Sequence, residues 1–262
     1  MEITDPVKLF QEEVKQNIDA LGQDAHLMDM TLAWIERSNA HRYTYNFSWL
    51  GRPVIQSPQD MVAVQELIWQ VKPDLVIETG IAHGGSLILS ASLLALLDLC
   101  DAQAQGRVLD PAKPGRKVLG IDIDIRAHNR AAIEAHPMAS RIEMIEGSST
   151  DQSVIDRVRE IASNYQRVLV FLDSNHTHDH VLAELHGYAP LTSVGSYCVV
   201  FDTLVENMPE EMFADRPWGP GNSPMTAVRE YLKSHTEFAV DRKIEDKLLI
   251  TVAREGFLQR VA

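Results

Sequence analysis

The stretch LVIETGIAHGGSLILSASLL, residues 75–94, passes from a short apolar run through a turn with three glycines into a segment of helical length. The run is apolar on both parities, as a strand covered on both faces requires. Glu78 stands near its end, Gly80 falls in the turn, and Gly84 and Gly85 precede a helix expected to open at Ser86. Glycines at such a turn let the backbone approach a ligand without a Cβ in the way. In open α/β sheets ligands bind at the carboxyl ends of strands, where helix N-termini present unpaired N–H groups.

Four more runs of the same kind follow: KVLGIDI (117–123), RIEMIEG (141–147), RVLVFLD (167–173) and SYCVVFD (196–202). Helical candidates at 86–98, 127–135, 151–162 and 179–187 alternate with them, which defines a doubly wound, Rossmann-like α/β fold with a mainly parallel sheet. After the loop DRPWGPGNSP and a helix near 224–234, FAVDRKIEDKLLITVAR reads as two β-runs joined by a short polar connector. That spacing suits a hairpin, so a seven-stranded sheet with an antiparallel last strand is expected. Helices at 6–20, 27–38 and 59–71 precede the sheet, which divides the chain into an N-terminal helical extension and arm (1–70) and a main domain (71–262). Between those helices Tyr43, Tyr45, Phe47 and Trp49 alternate with polar residues, the period of an extended arm with one apolar face.

The chain has 262 residues, 45% of them hydrophobic, enough for a sizeable core. Its formal charge of −13 disfavours nucleic acid and anionic membrane surfaces as partners. The apolar stretches read as too short and interrupted to cross a bilayer. Cys100 and Cys198 read as two buried thiols in a reducing compartment, and a cytoplasmic protein is expected.

The second run ends at Asp122, where an acid can accept hydrogen bonds from both ribose hydroxyls of a nucleoside. The third ends in EGSSTD, whose Ser148 and Ser149 can meet an adenine edge, while Ser149 or Thr150 can instead cap the helix beginning near Asp151. With KPDLVIETGIAHGGSLI, VLGIDIDIRAHNR, RIEMIEGSSTD, VLVFLDSNHTHDHVLAEL, FDTLVE, DRPWGPGNSPMTAV and EDKLLITVA in view, the chain resembles class I S-adenosylmethionine-dependent methyltransferases. Within them it is similar to the family labelled cephalosporin hydroxylase, which includes rhamnosyl O-methyltransferases, from about Tyr43 onward. The resemblance implies S-adenosylmethionine as cofactor, with Glu78 and Gly80 near its methionine part, Ser86 near its carboxylate, Asp122 at the ribose, Ser148 and Ser149 at the adenine, and Gly84 and Asp173 also among the residues that bind it.

FLDSNHTHDHVLAEL, residues 171–185, concentrates His176, His178 and His180 behind the fourth run. An iron hydroxylase would take His176, Asp179 and His180 as ligands, but all three come from one tight turn, whereas a facial triad normally draws a ligand from elsewhere. Asp173 and Asp202 end neighbouring parallel strands, roughly 5 Å apart, and two carboxylates so placed suit a shared Mg²⁺ or another divalent cation. Catechol-type and macrolide-sugar O-methyltransferases resemble this pattern, with a metal-binding Asp, a basic residue three positions later and an acidic pair on the next strand. Here those places fall on Asp173, His176 as catalytic base, and Asp202, whose neighbours Phe201 and Thr203 leave one carboxylate missing; Thr203 is an alternative ligand.

Trp218 in the Pro- and Gly-rich loop can cover a sugar or aromatic ring, and Asn222 and Ser223 are placed to cap the next helix. The expected function is metal-assisted O-methylation of a small molecule or sugar hydroxyl, with homo-oligomerisation open. A hydroxylase and a non-catalytic nucleoside-binding protein are the alternatives.

Overall fold

The structure is a computed structural model and describes residues 5–262. From the N-terminus, α1 (Pro6–Gln23) and α2 (Ala25–Asn39) lead through a 3₁₀ turn (Tyr43–Asn46) into a hairpin of β1 (Phe47–Trp49) and β2 (Arg52–Val54), followed by α3 (Pro58–Val71). The body then runs β3 (Leu75–Thr79), α4 (Gly85–Gln105), β4 (Lys117–Asp122), α5 (Ala127–Glu134), β5 (Ile142–Glu146), α6 (Gln152–Ala162), β6 (Val168–Leu172) and α7 (His178–Tyr188). It closes with β7 (Tyr197–Val200), α8 (Pro224–Tyr231), β8 (Phe238–Val240), α9 (Arg242–Leu248) and β9 (Phe257–Arg260). Seven strands form one sheet in the order β5-β4-β3-β6-β7-β9-β8. Neighbours from β5 to β7 are parallel, and β9 runs antiparallel to both β7 and β8.

The apolar runs build two cores, one on each side of the sheet. Val76, Val118 and Leu169 face one way and pack with Val64, Leu67 and Ile68 of α3 and Leu87 and Leu94 of α4. Leu75, Ile77 and Val170 face the other way and pack with Val158 of α6, Leu185 and Tyr188 of α7 and Val228 of α8. The two-residue period of the strand makes this division, and burying each such aliphatic side chain contributes about 1.5–3 kcal/mol. The sheet therefore fixes the positions of its five parallel strand ends, at which the loops gather.

The antiparallel closing strand is present, but Leu248–Arg254 does not form it. Residues 242–248 form α9, started by the Asp241 carboxylate accepting from the Lys243 amide at 3.2 Å, and the strand lies later, at Phe257–Arg260. The connector is therefore a helical excursion between β8 and β9. The aromatic arm also departs from a continuous extended segment: Tyr43–Asn46 coil into the 3₁₀ turn and only Phe47–Trp49 are extended. Trp34, Tyr43 and Phe47 stack edge to face at 5.0 and 5.1 Å, and Trp49 Nε1 donates to Ser92 Oγ at 2.9 Å, so the arm is docked on α4.

Three further expectations change. α4 extends past residue 98 and is long and apolar enough to cross a membrane; most of its apolar residues are instead buried in the sheet's core. Cys100 lies exposed on that helix, while Cys198 is buried in β7. The cap of α6 is Asp151, which accepts from the Ser153 amide at 2.8 Å, leaving Ser149 and Thr150 without that role.

Candidate active site

The turn after β3 is shaped by close approaches within the protein. Gly80 has φ +92°, and a Cβ there would collide with the carbonyl oxygen of Asp173 at the end of β6. Gly85 lies against the carbonyl of Pro53, where β2 crosses the start of α4. Gly84, expected to open space for a ligand, makes room instead for the side chain of Ile133 from α5. Arg52 then pins the turn, its Nε donating to the His83 carbonyl at 3.1 Å and its Nη2 to Asn129 Oδ1 at 3.1 Å. Asn129 Nδ2 in turn donates to the Ala82 carbonyl at 2.9 Å. Asp122 accepts from the Ile81 amide at 2.8 Å and the Ala82 amide at 3.2 Å, so the acid expected at a ribose also organises the glycine turn.

Glu78 is buried beneath this turn. Ser86, at the start of α4, donates to its Oε1, while Oε2 is buried without a partner among the described residues. Burial raises the Glu78 carboxyl to about 7, against the lowering effect of the Ser86 hydrogen bond. A buried acceptor with no donor is what a cleft for a cationic ligand group supplies. At the end of β5, Ser148 Oγ lies 3.0 Å from Thr150 Oγ1. Ser149 is buried and its hydroxyl is engaged 3.1 Å from His180 Nε2, which removes it from the exposed adenine edge expected of it.

The three histidines part company. Among the described residues, Asp173, His176 and Asp202 are the group whose ligand atoms converge, all within 4.8 Å of one another. His176 Nε2 lies 3.2 Å from Asp202 Oδ2, and its ring stands edge-on to Trp218 with centroids 4.8 Å apart. His178 ties α7 to α8, its Nδ1 lying 2.8 Å from Thr226 Oγ1. His180 sits 3.1 Å from both Ser149 Oγ and Ser174 Oγ, and Asp179 is exposed, so His176, Asp179 and His180 form no iron triad. Thr203 is buried with its hydroxyl 3.3 Å from the Val252 carbonyl, which excludes it as the missing ligand. Phe201 is buried too, packed edge to face on Phe171 at 5.8 Å.

Asp202 adopts the left-handed conformation at φ +54°, which Asp tolerates better than most residues, where β7 gives way to a 3₁₀ turn. Among the described residues no Lys or Arg ion-pairs with Asp173 or Asp202. Desolvation, then the neighbouring charges of Asp202, Glu78, Glu184 and Asp60, hold the Asp173 carboxyl well above the ordinary range. Two unneutralised carboxylates beside an imidazole are a donor set that fits a divalent cation.

These residues open onto a cavity of about 530 Å³. Gly80, Ser86, Asp173, His176 and Asp202 line one side; Trp34, Tyr43 and Tyr45 from the arm, and Met212, Phe213 and Trp218 from the loop after β7, line the other. Asp122, Ser148 and Ser149 do not line it. The loop is held by Glu206, whose Oε2 accepts from the Gly221 amide at 2.9 Å and from Ser223 Oγ at 2.7 Å. Ser223 caps α8 in a reciprocal pair with Thr226, whereas Asn222 accepts from the His178 amide at 2.9 Å instead of capping. Arg52, Gln56 and Glu206 escaped the reading of the sequence; the S-P-x-D start of α3 is legible, but nothing in it says that the preceding Gln56 reaches Asp173.

A sheet of this order with the site at its parallel strand ends is the methyltransferase form of the doubly wound fold. Two solved structures of CmcI share it, the N160 form without ligand and the D160 form with Mg and SAM. Both have TM-scores of 0.55 at 18% identity and cover 83% of this chain, against 77% and 78% of theirs. The chain belongs to the Rhamnosyl O-methyltransferase/CmcI family, whose family model matches residues 41–261. Rhamnosyl O-methyltransferases of Mycobacterium tuberculosis and Mycobacterium leprae are each 29% identical to it, over 231 and 228 residues. Those alignments cover 84% of this chain and 83% and 88% of the relatives.

Proposed function

We propose that this chain is an S-adenosylmethionine-dependent, divalent-metal-assisted O-methyltransferase acting on a hydroxyl of a sugar or another small molecule. The observation that carries the reading is the convergence of Asp173, His176 and Asp202 beside the glycine turn, in one cavity with an aromatic wall. The naming of its relatives as rhamnosyl O-methyltransferases supports a sugar acceptor.

Glu78, Gly80, Ser86 and Asp122 would hold the cofactor, with Ser148 toward its adenine, and Asp173 and Asp202 would hold the cation. When bound, the cofactor supplies an electrophilic methyl group and the cation lowers the pKa of the acceptor hydroxyl. His176 takes the hydroxyl proton, and Asp202, 3.2 Å from its Nε2, stabilises the imidazolium that results. Trp218 holds the imidazole edge-on and, with Tyr43 and Tyr45, offers flat faces on which a sugar ring can lie. Residues 1–70 serve as the helical extension that walls the acceptor end, since Trp34, Tyr43 and Tyr45 all come from it. The free thiols Cys100 and Cys198 support a cytoplasmic setting, and the exposed Val7, Phe10 and Val14 along α1 support self-association.

Titration with S-adenosylhomocysteine, followed by transfer of labelled methyl to a panel of sugar and phenolic hydroxyls with and without Mg²⁺, tests the reading. Binding of S-adenosylhomocysteine and Mg²⁺-stimulated transfer are expected. Absence of binding, or binding unchanged in Asp122→Ala, overturns the cofactor assignment.

A further inference from the structure

Two carboxylates are few for a hard divalent cation, which prefers about six oxygen ligands in octahedral array and takes them from carboxylates, backbone or amide carbonyls, and water. The two positions beside Asp202 where a second acid would stand are Phe201 and Thr203, both buried. Phe201 lines a small cavity next to the site, and so do Asp173 and a residue from outside the sheet, Gln56.

Gln56 lies in the connection between β2 and α3 and is buried. Ser57 and Asp60 hold this connection: Ser57 Oγ donates to Asp60 Oδ2 at 2.8 Å, and the other Asp60 oxygen accepts from the Thr251 hydroxyl. Gln56 Nε2 lies 3.4 Å from Asp173 Oδ2, and its Oε1 is buried without a hydrogen-bond partner among the described residues. A buried amide oxygen left unpaired costs free energy comparable to a lost hydrogen bond. The two ends of an amide have the same shape, so a half-turn about the last side-chain bond puts Oε1 where Nε2 stands. Adjacent ligands of an octahedral cation with ~2.1 Å bonds stand about 3.0 Å apart. The 3.4 Å between Gln56 and Asp173 therefore needs only a small closure to span one edge of such a site.

We infer that the carbonyl oxygen of Gln56 is a ligand of the divalent cation shared by Asp173 and Asp202, supplying from the N-terminal arm the oxygen that neither Phe201 nor Thr203 provides beside Asp202. This rests on the metal-assisted reading above. It couples the arm to the chemistry, because the segment that carries Tyr43 and Tyr45 into the cavity wall and docks on α4 through Trp49 would also complete the cation site. It also replaces a charged ligand by a neutral one, so the site binds its cation more weakly than one with three carboxylates and depends more on the cofactor and acceptor to retain it.

The test is Mn²⁺ binding, measured by calorimetry, with the number of water ligands on the ion counted from its electron-nuclear spectra in isotopically labelled water. Gln56→Leu is expected to weaken Mn²⁺ binding roughly tenfold or more and to add one water ligand, with S-adenosylhomocysteine affinity unchanged as the measure of intact folding. Gln56→Glu is expected to tighten Mn²⁺ binding roughly tenfold with the water count of the parent, and it carries the test alone if the Leu variant fails to fold. Weaker binding with an unchanged water count would reduce Gln56 to a hydrogen-bond donor that positions Asp173 and overturn the ligand. Parent-like affinity and water count in Gln56→Leu would overturn it outright. If the parent chain itself binds no Mn²⁺, the metal-assisted reading fails and the ligand with it.

Discussion

His176 Nε2 stands 3.2 Å from Asp202 Oδ2 across the gap between the loop after β6 and the end of β7, with the ring braced against Trp218. The pair divides labour between a proton acceptor and a carboxylate that faces both the imidazole and the cation position. Replacing His176 with Ala should lower turnover by roughly 10²–10⁴-fold, the range for a positioned general base. Mn²⁺ and S-adenosylhomocysteine affinities should stay within about threefold of the parent. Replacing Asp202 with Ala should do the reverse to the metal and abolish measurable Mn²⁺ binding at site-saturating cofactor. A collapse of Mn²⁺ affinity in His176→Ala would make the histidine a ligand instead.

Gly80 should not tolerate a side chain. At φ +92° an alanine is strained, and its Cβ would meet the Asp173 carbonyl. The cost expected is about 2–4 kcal/mol, read as a lower urea midpoint, and it should be accompanied by loss of cofactor binding because β3 and β6 are forced apart. Gly106, also at positive φ but with nothing near its Cβ position among the described residues, is the control and should lose much less.

Arg52 acts at a distance from the chemistry. Its guanidinium joins the hairpin to the His83 carbonyl and to Asn129, and so to both sides of the glycine turn. Arg52→Ala should weaken S-adenosylhomocysteine binding by roughly tenfold, the equivalent of one charge-assisted hydrogen bond, and leave Mn²⁺ affinity unchanged. Calorimetric titration of the two ligands separates the effects.

The buried Glu78 makes stability depend on pH. Its carboxyl is raised from an ordinary 4.5 to about 7 by desolvation, so between those values the folded chain keeps a proton that the unfolded chain releases. Stability in the absence of ligands should therefore fall as pH rises through that window and level off above it. The whole drop is roughly 3 kcal/mol, because each tenfold change in proton concentration across the window is worth about 1.36 kcal/mol. Urea unfolding at pH 5 and pH 8 should show a smaller difference between the two pH values in Glu78→Gln than in the parent.

Glu206 holds the loop that carries Trp218, through the Gly221 amide and the Ser223 hydroxyl. Glu206→Ala should raise the acceptor KM by about tenfold while cofactor affinity stays constant, because the loop touches the acceptor side of the cavity. A change in cofactor affinity instead would place the loop's influence on the other side of the site.

The parallel body of the sheet was legible because LVIET, KVLGID and RVLVFL are apolar on both parities, a local property that survives in any tertiary context. Its strands and helices lie within a few residues of where that pattern puts them, whereas the roles expected of Asp173 and His176 rest on the resemblance of their D-x-x-H spacing to that of related O-methyltransferases. Residues 242–254 misled because Leu248–Arg254 carries β-type residues, yet the Asp241 cap starts a helix just before it and the strand pairs later through Phe257.

Contacts between distant segments were decided only by the tertiary structure. Gly84 looks like part of a ligand cradle in one dimension and makes room for Ile133, while Gly85 lies against the Pro53 carbonyl and still lines the cavity. Ser149 looks like an adenine contact and is engaged by His180, 31 residues away. Gln56 reaches Asp173 across 117 residues of sequence, and no local pattern encodes which polar side chain the folding of an arm will deliver to a carboxylate pair. Periodicity fixes which faces of strands and helices are buried, whereas the identity of a site's outer partners depends on how separate elements close on one another.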